Sequence, residues 1–357
     1  MFNPSSFKRP VVIVGNGCRG ADLTPILESG LPIVSSWLGA DMVAWHDNHI
    51  GHCGIFGDRA SNFAVQNSDY LLVLGCRMSV PIIGHNFRLF AREAKIYMVD
   101  VDQAEIDKPS LGAFGVAEDV KNFLKAFHYK QGESPWLRRC QEWRERYSVL
   151  KESGHLPSYK FIGELSDSLP DDAVVVTDMG TAFTCTFQAA KMKKGQRWLT
   201  ASGHAPMGYG IPAAIGAHYA TGKRITCIVG DGSLMFNLQE LQTIAHHDLP
   251  IDIYLLDNGG YLTMKHTFAN HFGRQVGSDA GSGVSFPDWG KVADTFGVPL
   301  KVVKIPHDQP LVPRTSSMKL PDGSITSKPL EDMYPFLPRE EFKSQMIVKP
   351  AEVFECS

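Results

Sequence analysis

The sequence lacks several features that would assign it at once to a common class of protein. Among its 357 residues there is no apolar run of the about 18 residues that a membrane-spanning helix needs. The first ten residues contain no apolar segment of the kind found in signal peptides. The two signs of charge nearly balance, with 35 Lys and Arg against 38 Asp and Glu, so no basic surface for nucleic acid is expected. We therefore expect neither a membrane nor a nucleic acid as partner.

Cysteine is present but forms no recognisable framework. None of the seven cysteines belongs to a Cys-x-x-Cys pair, and most stand inside apolar segments. An odd and dispersed set of this kind predicts free, buried thiols rather than disulfides. Together with the missing signal segment, this predicts a cytoplasmic protein.

Short apolar runs alternate with amphipathic stretches along most of the chain. The strand-like runs lie at 11–14, 32–35, 70–74, 96–99, 173–177, 197–200, 225–229 and 251–256. This alternation is typical of parallel sheets that are covered by helices on both faces. We predict an α/β fold with two Rossmann-like, doubly wound domains, at 1–130 and 158–357, joined by a linker helix within 131–157. The second domain is expected to include a proline-punctuated C-terminal tail.

A Gly-x-Gly-x-x-Gly motif follows the first strand, at Gly15, Gly17 and Gly20. Such a turn allows a phosphate to approach the backbone and is part of the dinucleotide-binding fingerprint. That fingerprint also requires an acidic residue at the end of the next strand, where this chain has Ser35 and Ser36. The interpretations are a tight strand-to-helix turn and, as a remote alternative, an NAD-binding oxidoreductase.

A second motif is rich in possible zinc ligands. Residues 46–53 contain three histidines, one aspartate and one cysteine. The spacing His-x-x-His-x-x-His has no second ligand cluster of the kind that structural zinc sites use. The alternatives are a metal site and a polar loop over the edge of the sheet.

The strongest motif lies in the second half of the chain. The strand at 225–229 ends in Gly-Asp-Gly at 230–232, an amphipathic helix follows from Ser233, and the next strand ends just before Asn258. A right-handed β-α-β unit brings Asp231 and Asn258 to the carboxyl ends of neighbouring parallel strands. Their oxygen atoms suit Mg²⁺, and the glycines and the helix N-terminus suit a diphosphate. The motif therefore predicts a site for Mg²⁺ and a diphosphate.

These residues resemble the motif of the thiamine diphosphate (ThDP) enzymes, in which Gly-Asp-Gly, a helix, a strand and a pair of asparagines follow one another. Segments 205–216 and 237–241 resemble the acetohydroxyacid (acetolactate) synthase branch of that family. The resemblance implies that Asp231 and Asn258 bind Mg²⁺ through their side chains. It also implies that Gly260 binds Mg²⁺ through its carbonyl oxygen.

The same resemblance implies further roles. Met207 matches the bulky apolar residue that holds the cofactor in its bent form. The substrate would lie near Tyr261, Met264 and His266. The remaining cofactor contacts are expected at turns that follow strands: Gly180, Thr181, Ala182, Phe183, Gly230, Gly232 and Ser233.

Three departures from the family pattern stand out. The chain resembles the family's middle and diphosphate-binding domains, but the N-terminal pyrimidine-binding domain, which supplies a catalytic glutamate, has no counterpart. The run that usually contacts FAD after Gly75-x-Arg77 is absent, which argues against FAD. Asp257 stands where the first asparagine is usual, and it is expected to add a carboxylate beside the metal.

The resemblance implies a lyase or carboligase (transferase) that depends on ThDP and Mg²⁺. Its 2-keto acid substrate would lose CO₂ and be joined to a second carbonyl compound, a keto acid, an aldehyde or an activated sugar. The missing domain would be supplied in trans, by a separate subunit or within a homo-oligomer. The alternatives are a non-catalytic ThDP-binding or regulatory subunit and a truncated gene product.

Overall fold

A computed structural model describes residues 3–132, 134–319 and 323–351 of the chain. It divides into two compact units, one formed by Met1–Ser153 with Val312–Ser357 and the other by Gly154–Leu311. The tail that we assigned to the second domain thus belongs to the first unit. Among the described helices, none is both long enough and apolar enough to cross a membrane.

The first unit is built on a six-stranded parallel sheet. Its strands are β1 (Pro10–Val14), β2 (Ile33–Ser35), β3 (His49–His52), β4 (Tyr70–Leu74), β5 (Lys95–Asp100) and β6 (Phe114–Ala117). Their order across the sheet is β3-β2-β1-β4-β5-β6. Every residue of the central strands β1 and β4 is buried, as expected where helices cover both faces.

Helices lie on both faces of this sheet. They are α1 (Thr24–Leu27), α2 (Arg59–Gln66), α3 (Val80–Ile83), α4 (Gln103–Ile106), α5 (Val120–Ala126), α6 (Pro135–Arg146) and α7 (Val149–Glu152). Alternate residues of β1 join separate cores, one with α2 and α6 and the other with α1 and α5. Helix α6, which we interpreted as a surface helix leading to a linker, buries Trp136 and Trp143 in the first of these cores. It is therefore part of the first unit.

The second unit contains a five-stranded parallel sheet. Its strands are β7 (Val174–Thr177), β8 (Arg197–Leu199), β9 (Ile225–Gly230), β10 (Ile251–Asp257) and β11 (Leu300–Lys304). Their order is β11-β10-β9-β7-β8. Both sheets are thus of the predicted parallel α/β type. The strand order makes β9 the neighbour of both β10 and β7, so three strand ends meet at one edge.

The described residues of the second unit also form seven α-helices. They are α8 (Pro157–Ser168), α9 (Thr181–Ala189), α10 (Gly210–Thr221), α11 (Asp231–Leu234), α12 (Glu240–His246), α13 (Leu262–His271) and α14 (Trp289–Phe296). A 3₁₀ turn, Met235–Asn237, connects α11 to α12. The helix that we expected from Ser233 is thus divided in two, but it keeps an apolar face: Leu234 and Leu241 are buried in the core, and Leu238 and Ala245 pack against it.

The tail adds short strands and one helix to the first unit. They are β12 (Arg314–Thr315), β13 (Ser317–Lys319), β14 (Ile325–Ser327), β15 (Met333–Tyr334) and α15 (Arg339–Gln345). Strand β12 pairs with β15, and β13 with β14, in antiparallel fashion. Side chains of α2 bind the tail directly, since Arg59 donates to the carbonyl oxygens of Met333 and Pro335 at 3.2 and 2.6 Å. These polar contacts explain why the tail belongs to the first unit.

Candidate functional site

The candidate site lies at the carboxyl ends of β9 and β10. The two strands are parallel, with Leu256 opposite Gly230. Asp231 directly follows β9 and Asn258 directly follows β10, and both residues are buried. The structure therefore brings together the two side chains that the sequence predicted to be neighbours.

The carboxylate of Asp231 is enclosed by backbone amides. Its Oδ2 atom accepts hydrogen bonds of 3.1, 2.6 and 3.2 Å from three consecutive N–H groups, those of Asn258, Gly259 and Gly260. Its Oδ1 atom accepts one of 2.7 Å from Gly232. The 258–260 loop is thus wrapped around one carboxylate, and this fixes the loop at the strand ends.

Burial raises the pKa of the Asp231 carboxyl to about 6. The amide hydrogen bonds from Gly232, Gly259 and Gly260 oppose this shift, and the nearby charge of Asp257 adds to it. A cation at this carboxylate would favour the charged form and lower the pKa. The environment is therefore that of a carboxylate for which a positive partner is favourable.

Asn258 connects this loop to the start of α9. Its Oδ1 atom accepts a hydrogen bond of 3.1 Å from the Gly260 amide, and its Nδ2 atom lies 3.5 Å from Thr181 Oγ1. Thr181 is the first residue of α9, a helix of nine residues. Gly180 precedes it with a φ of +68°, a conformation that glycine adopts without strain. The predicted residues 180 and 181 thus lie at the same strand ends as Asp231.

The next two predicted residues of α9, Ala182 and Phe183, are also buried. The Phe183 ring packs against Phe187, with 5.3 Å between ring centroids. Its side chain is therefore part of the core. At Ala182 and Phe183, a contact with a diphosphate could come only from the backbone amides.

Asp178, which lies two residues before Gly180 in the turn after β7, organises the third side of the site. It follows β7 and is almost fully buried. Its carboxylate accepts hydrogen bonds of 3.2 and 2.7 Å from the amides of Gly208 and Gly210, and one from the Ser233 side chain. Burial raises its pKa, and these hydrogen bonds oppose the shift. Asp178 therefore connects the segment that contains Met207 to α11, the helix that follows β9.

The Met207 segment is held from a second direction. Asn237 Nδ2 donates to the Gly208 carbonyl oxygen at 2.7 Å. A Cβ atom at Gly208 would lie 2.7 Å from Phe236 Cβ, and the φ of Gly208 is +84°. Met207 itself is half-buried. Its backbone is thus fixed while part of its side chain stays accessible.

The glycines on either side of Asp231 differ in what they meet. A Cβ atom at Gly232 would lie 2.2 Å from Cε1 of Tyr261, so the Tyr261 ring rests on this glycine. A Cβ atom at Gly230 would meet no atom within 4 Å. Packing explains the glycine at 232, whereas at 230 the missing side chain leaves room beside Asp231.

The other two residues predicted near the substrate lie on α13. Met264 is 43% exposed, and His266 is half-buried. Residues two positions apart on a helix point in different directions. Tyr261, the third residue predicted for the substrate side, contacts the Asp231 turn through Gly232.

The N-terminal glycine motif has a structural explanation. Cβ atoms at Gly15 and Gly17 would lie 2.2 and 2.8 Å from the backbone of Gly75. The segment after β1 is a single 3₁₀ turn, Asn16–Cys18, rather than the long helix that binds a dinucleotide. These glycines allow the loop after β1 to pack closely against the loop at Gly75. This packing favours the interpretation as a tight turn over the NAD-binding alternative.

The histidine-rich segment is an edge strand rather than a loop. His49 and His52 are buried in β3. His49 Nε2 lies 3.0 Å from Ser35 Oγ, and His52 Nδ1 lies 3.3 Å from Asp58 Oδ2. Burial lowers the pKa of His49, which therefore stays neutral at pH 7. Across the described ranges, no three His, Cys, Asp or Glu side chains are arranged to hold a metal, so the zinc alternative has no support.

The fold and the site define an α/β protein in which a buried aspartate and a glycine-rich loop meet at parallel strand ends, as in diphosphate-binding domains. Comparison with protein families identifies the two units. Residues 178–313 match the thiamine pyrophosphate enzyme C-terminal TPP binding domain, and residues 5–127 match the thiamine pyrophosphate enzyme central domain. The chain belongs to the thiamine pyrophosphate enzyme family.

Similar proteins include several large subunits of acetolactate synthase. The isozyme 2 large subunit of Escherichia coli (strain K12) is 29% identical over 96% of this chain and 64% of its own length. The large subunit of Cyanidium caldarium is 31% identical over 82% of this chain and 52% of its own length. Acetolactate synthase 1 of Nicotiana tabacum is 32% identical over 83% of this chain and 47% of its own length. The chain thus spans less than two thirds of the length of these relatives.

Proposed function

We propose that this chain is part of a lyase or carboligase that depends on ThDP and Mg²⁺ and acts on a 2-keto acid, as its acetolactate synthase relatives suggest. The observation that carries the proposal is the loop of residues 258–260 wrapped around Asp231 at the ends of neighbouring strands. The bound cofactor would supply the electron sink for decarboxylation. The chain would supply binding, orientation and exclusion of water.

The donor set at the strand ends fits Mg²⁺. The carboxylate of Asp231, the amide oxygen of Asn258 and the carbonyl oxygen of Gly260 are hard ligands of the kind that this cation prefers. The space beside Gly230 and the amides at the start of α9 fit a diphosphate. We propose that these groups hold the cation and the diphosphate together.

Two further residues would act on the rest of the cofactor, one by supporting its shape and the other by limiting the access of water. Met207, whose segment is tied down by Asp178 and Asn237, would support its bend. Tyr261, which covers Gly232, would limit the access of water to the site. Met264 and His266 stay candidates for the substrate side.

The activity would require a pyrimidine-binding domain in addition to the two units, supplied by a separate subunit or within a homo-oligomer. Exposed apolar residues next to Gly208 support a contact with such a domain. Phe236 is 58% exposed and Met235 is 39% exposed, although such side chains are usually buried. The six described cysteines are free and buried, and this fits the reducing environment of the cytoplasm, which we propose as the location.

Calorimetry with the full chain tests the proposal. ThDP should bind when Mg²⁺ is present, and binding should be lost when EDTA removes the metal. A separately produced pyrimidine domain from an acetolactate synthase large subunit should then allow the release of CO₂ from pyruvate. Binding of ThDP without turnover would instead indicate a non-catalytic subunit, and no binding at all would contradict the proposal.

A Gly230→Ala variant should keep its stability and lose cofactor affinity. The φ and ψ of Gly230, −91° and 156°, suit alanine, and the added methyl group would meet no atom within 4 Å. We expect the unfolding free energy to change by less than about 0.5 kcal/mol. Affinity for ThDP should fall by about ten-fold or more, because the methyl group would occupy the space of the diphosphate.

Thermal unfolding and calorimetry measure the two quantities. Gly216→Ala is the matched control, because Gly216 is an exposed residue of α10 with free space around it. This control should bind ThDP as the wild type does. Equal affinity of the Gly230→Ala variant would count against a diphosphate beside residue 230.

A further inference from the structure

Asp257 places a second buried carboxylate beside the Asp231 loop. It is the last residue of β10 and precedes Asn258 directly. Both aspartates are buried: Asp257 is 8% exposed and Asp231 is 2% exposed. Two carboxylate charges this close to one cation position would double the negative charge there, unless one of them is balanced.

The structure shows where the oxygens of Asp257 are engaged. Oδ1 accepts a hydrogen bond of 3.2 Å from the Gly259 amide, and Oδ2 accepts one from Lys304 Nζ. The backbone carbonyl oxygen accepts one of 2.8 Å from Ile305. Asp257 is thus anchored to β11 on one side and to the 258–260 loop on the other.

Lys304 reaches this carboxylate because of strand register. In the β10–β11 pair, Asp257 lies opposite Lys304. The lysine side chain is 79% exposed, whereas that of Asp257 is 9% exposed. The ammonium group therefore approaches from the solvent side, at the wall of a cavity of about 640 Å³ that both residues line. The pair cancels the charge of Asp257 without drawing Lys304 into the core.

We propose that Lys304 is a positioning residue that balances the charge of Asp257, so that the site favours a divalent cation with its diphosphate over the cation alone. This inference rests on the proposed function. When Lys304 is present, Oδ2 of Asp257 accepts a hydrogen bond from its ammonium group, which balances the charge of Asp257. The charge of Asp231 is then the one that remains unbalanced at the cation position. Without it, an unbalanced carboxylate would attract the free cation and repel the diphosphate.

A Lys304→Met variant tests this with two binding measurements on the full chain. Mn²⁺, used as a spectroscopic probe without cofactor, should bind about three- to ten-fold more tightly. ThDP at saturating Mg²⁺ should bind more weakly by about the same factor. Shifts in opposite directions are the signature of a charge effect, because general damage to the site would weaken both.

Second-site and control variants sharpen the test. Asp257→Asn combined with Lys304→Met removes both charges, and both affinities should return to within about two-fold of the wild type. Lys301→Met is the matched control, because Lys301 lies on the same strand and pairs at 2.9 Å with Asp252, away from the loop. It should leave both affinities unchanged. Unchanged affinities in Lys304→Met, shifts in one direction, or no recovery in the double variant would overturn the proposal.

Amide hydrogen exchange separates this inference from the proposed function. In ligand-free Lys304→Met, exchange at Gly259 and Gly260 should be faster by about three-fold or more, because repulsion from Asp257 would loosen the hydrogen bonds to Asp231. The double variant should restore the wild-type rates. Failure of the wild type to bind ThDP would end the functional proposal, whereas unchanged exchange in Lys304→Met would end the positioning role.

Discussion

An Asp231→Asn variant should lose Mg²⁺-dependent binding of ThDP by about a hundred-fold or more, while the protein stays folded. Asparagine has nearly the same shape, and its one oxygen can accept the hydrogen bonds from the 258–260 amides, so that the Gly232 amide is the donor that loses its acceptor. It removes the negative charge that a divalent cation requires at the end of β9. The effect should therefore appear in the affinity rather than in the fold.

Calorimetry at a fixed Mg²⁺ concentration measures this loss, and near-ultraviolet circular dichroism checks the fold. Asp252→Asn is the control, because Asp252 lies on the neighbouring strand β10 and pairs at 3.2 and 2.9 Å with Arg224 and Lys301 at the surface. It should bind ThDP normally. Retention of wild-type affinity by the Asp231→Asn variant would mean that Asp231 holds the loop and not a cation.

The β9–helix–β10 segment could be predicted because its information is local. A strand, a Gly-Asp-Gly turn and a helical apolar pattern follow one another in the sequence, and the right-handed crossover then fixes Asp231 next to Asn258. Asp178 occupies the same position after β7 that Asp231 occupies after β9. That similarity was a usable signal, but its value depends on β7 lying next to β9, which cannot be read from the sequence alone.

Other features depend on long-range register or on buried polar contacts. Lys304 meets Asp257 only through the alignment of β10 with β11. Helix α2 buries Arg59, Asn62 and Gln66, residues that a hydrophobic pattern assigns to a surface. They are buried because the tail, more than 260 residues away in the sequence, supplies their hydrogen-bond partners. The assignment of the tail to the second domain failed for this reason.

Arg59 is the centre of that connection. Its guanidinium binds the Glu152 carboxylate and the carbonyl oxygens of Met333 and Pro335, and it is 1% exposed. The same group lies 6.0 Å from the centre of the Tyr147 ring. One side chain thus joins α2, α7 and the tail through charged and polar contacts.

We expect an Arg59→Met variant to destabilise the first unit by about 3–5 kcal/mol, because it leaves Glu152 buried without its cation and two carbonyl oxygens without a donor. Hydrogen exchange of the α2 amides under increasing urea measures the stability of this unit separately from the other. Arg77→Met is the control, because Arg77 pairs with Glu105 at 3.1 Å but is 71% exposed. It should cost no more than about 1 kcal/mol.

The stability deficit of Arg59→Met should also depend on pH. Burial raises the pKa of Glu152 from 4.5 to about 7, and Arg59 opposes this shift, so its removal should raise the pKa further. An acid whose folded pKa exceeds its unfolded pKa stabilises the folded state at low pH, and this contribution is lost as the pH rises through the folded value. In the wild type, the folded pKa of Glu152 is about 7, so this contribution is lost by about neutral pH. In the variant, the folded pKa is higher, so stability continues to fall as the pH rises above neutral. The deficit should therefore be larger at pH 8 than at pH 6, and a deficit that is constant or smaller at pH 8 would show that Glu152 is not the group left uncompensated.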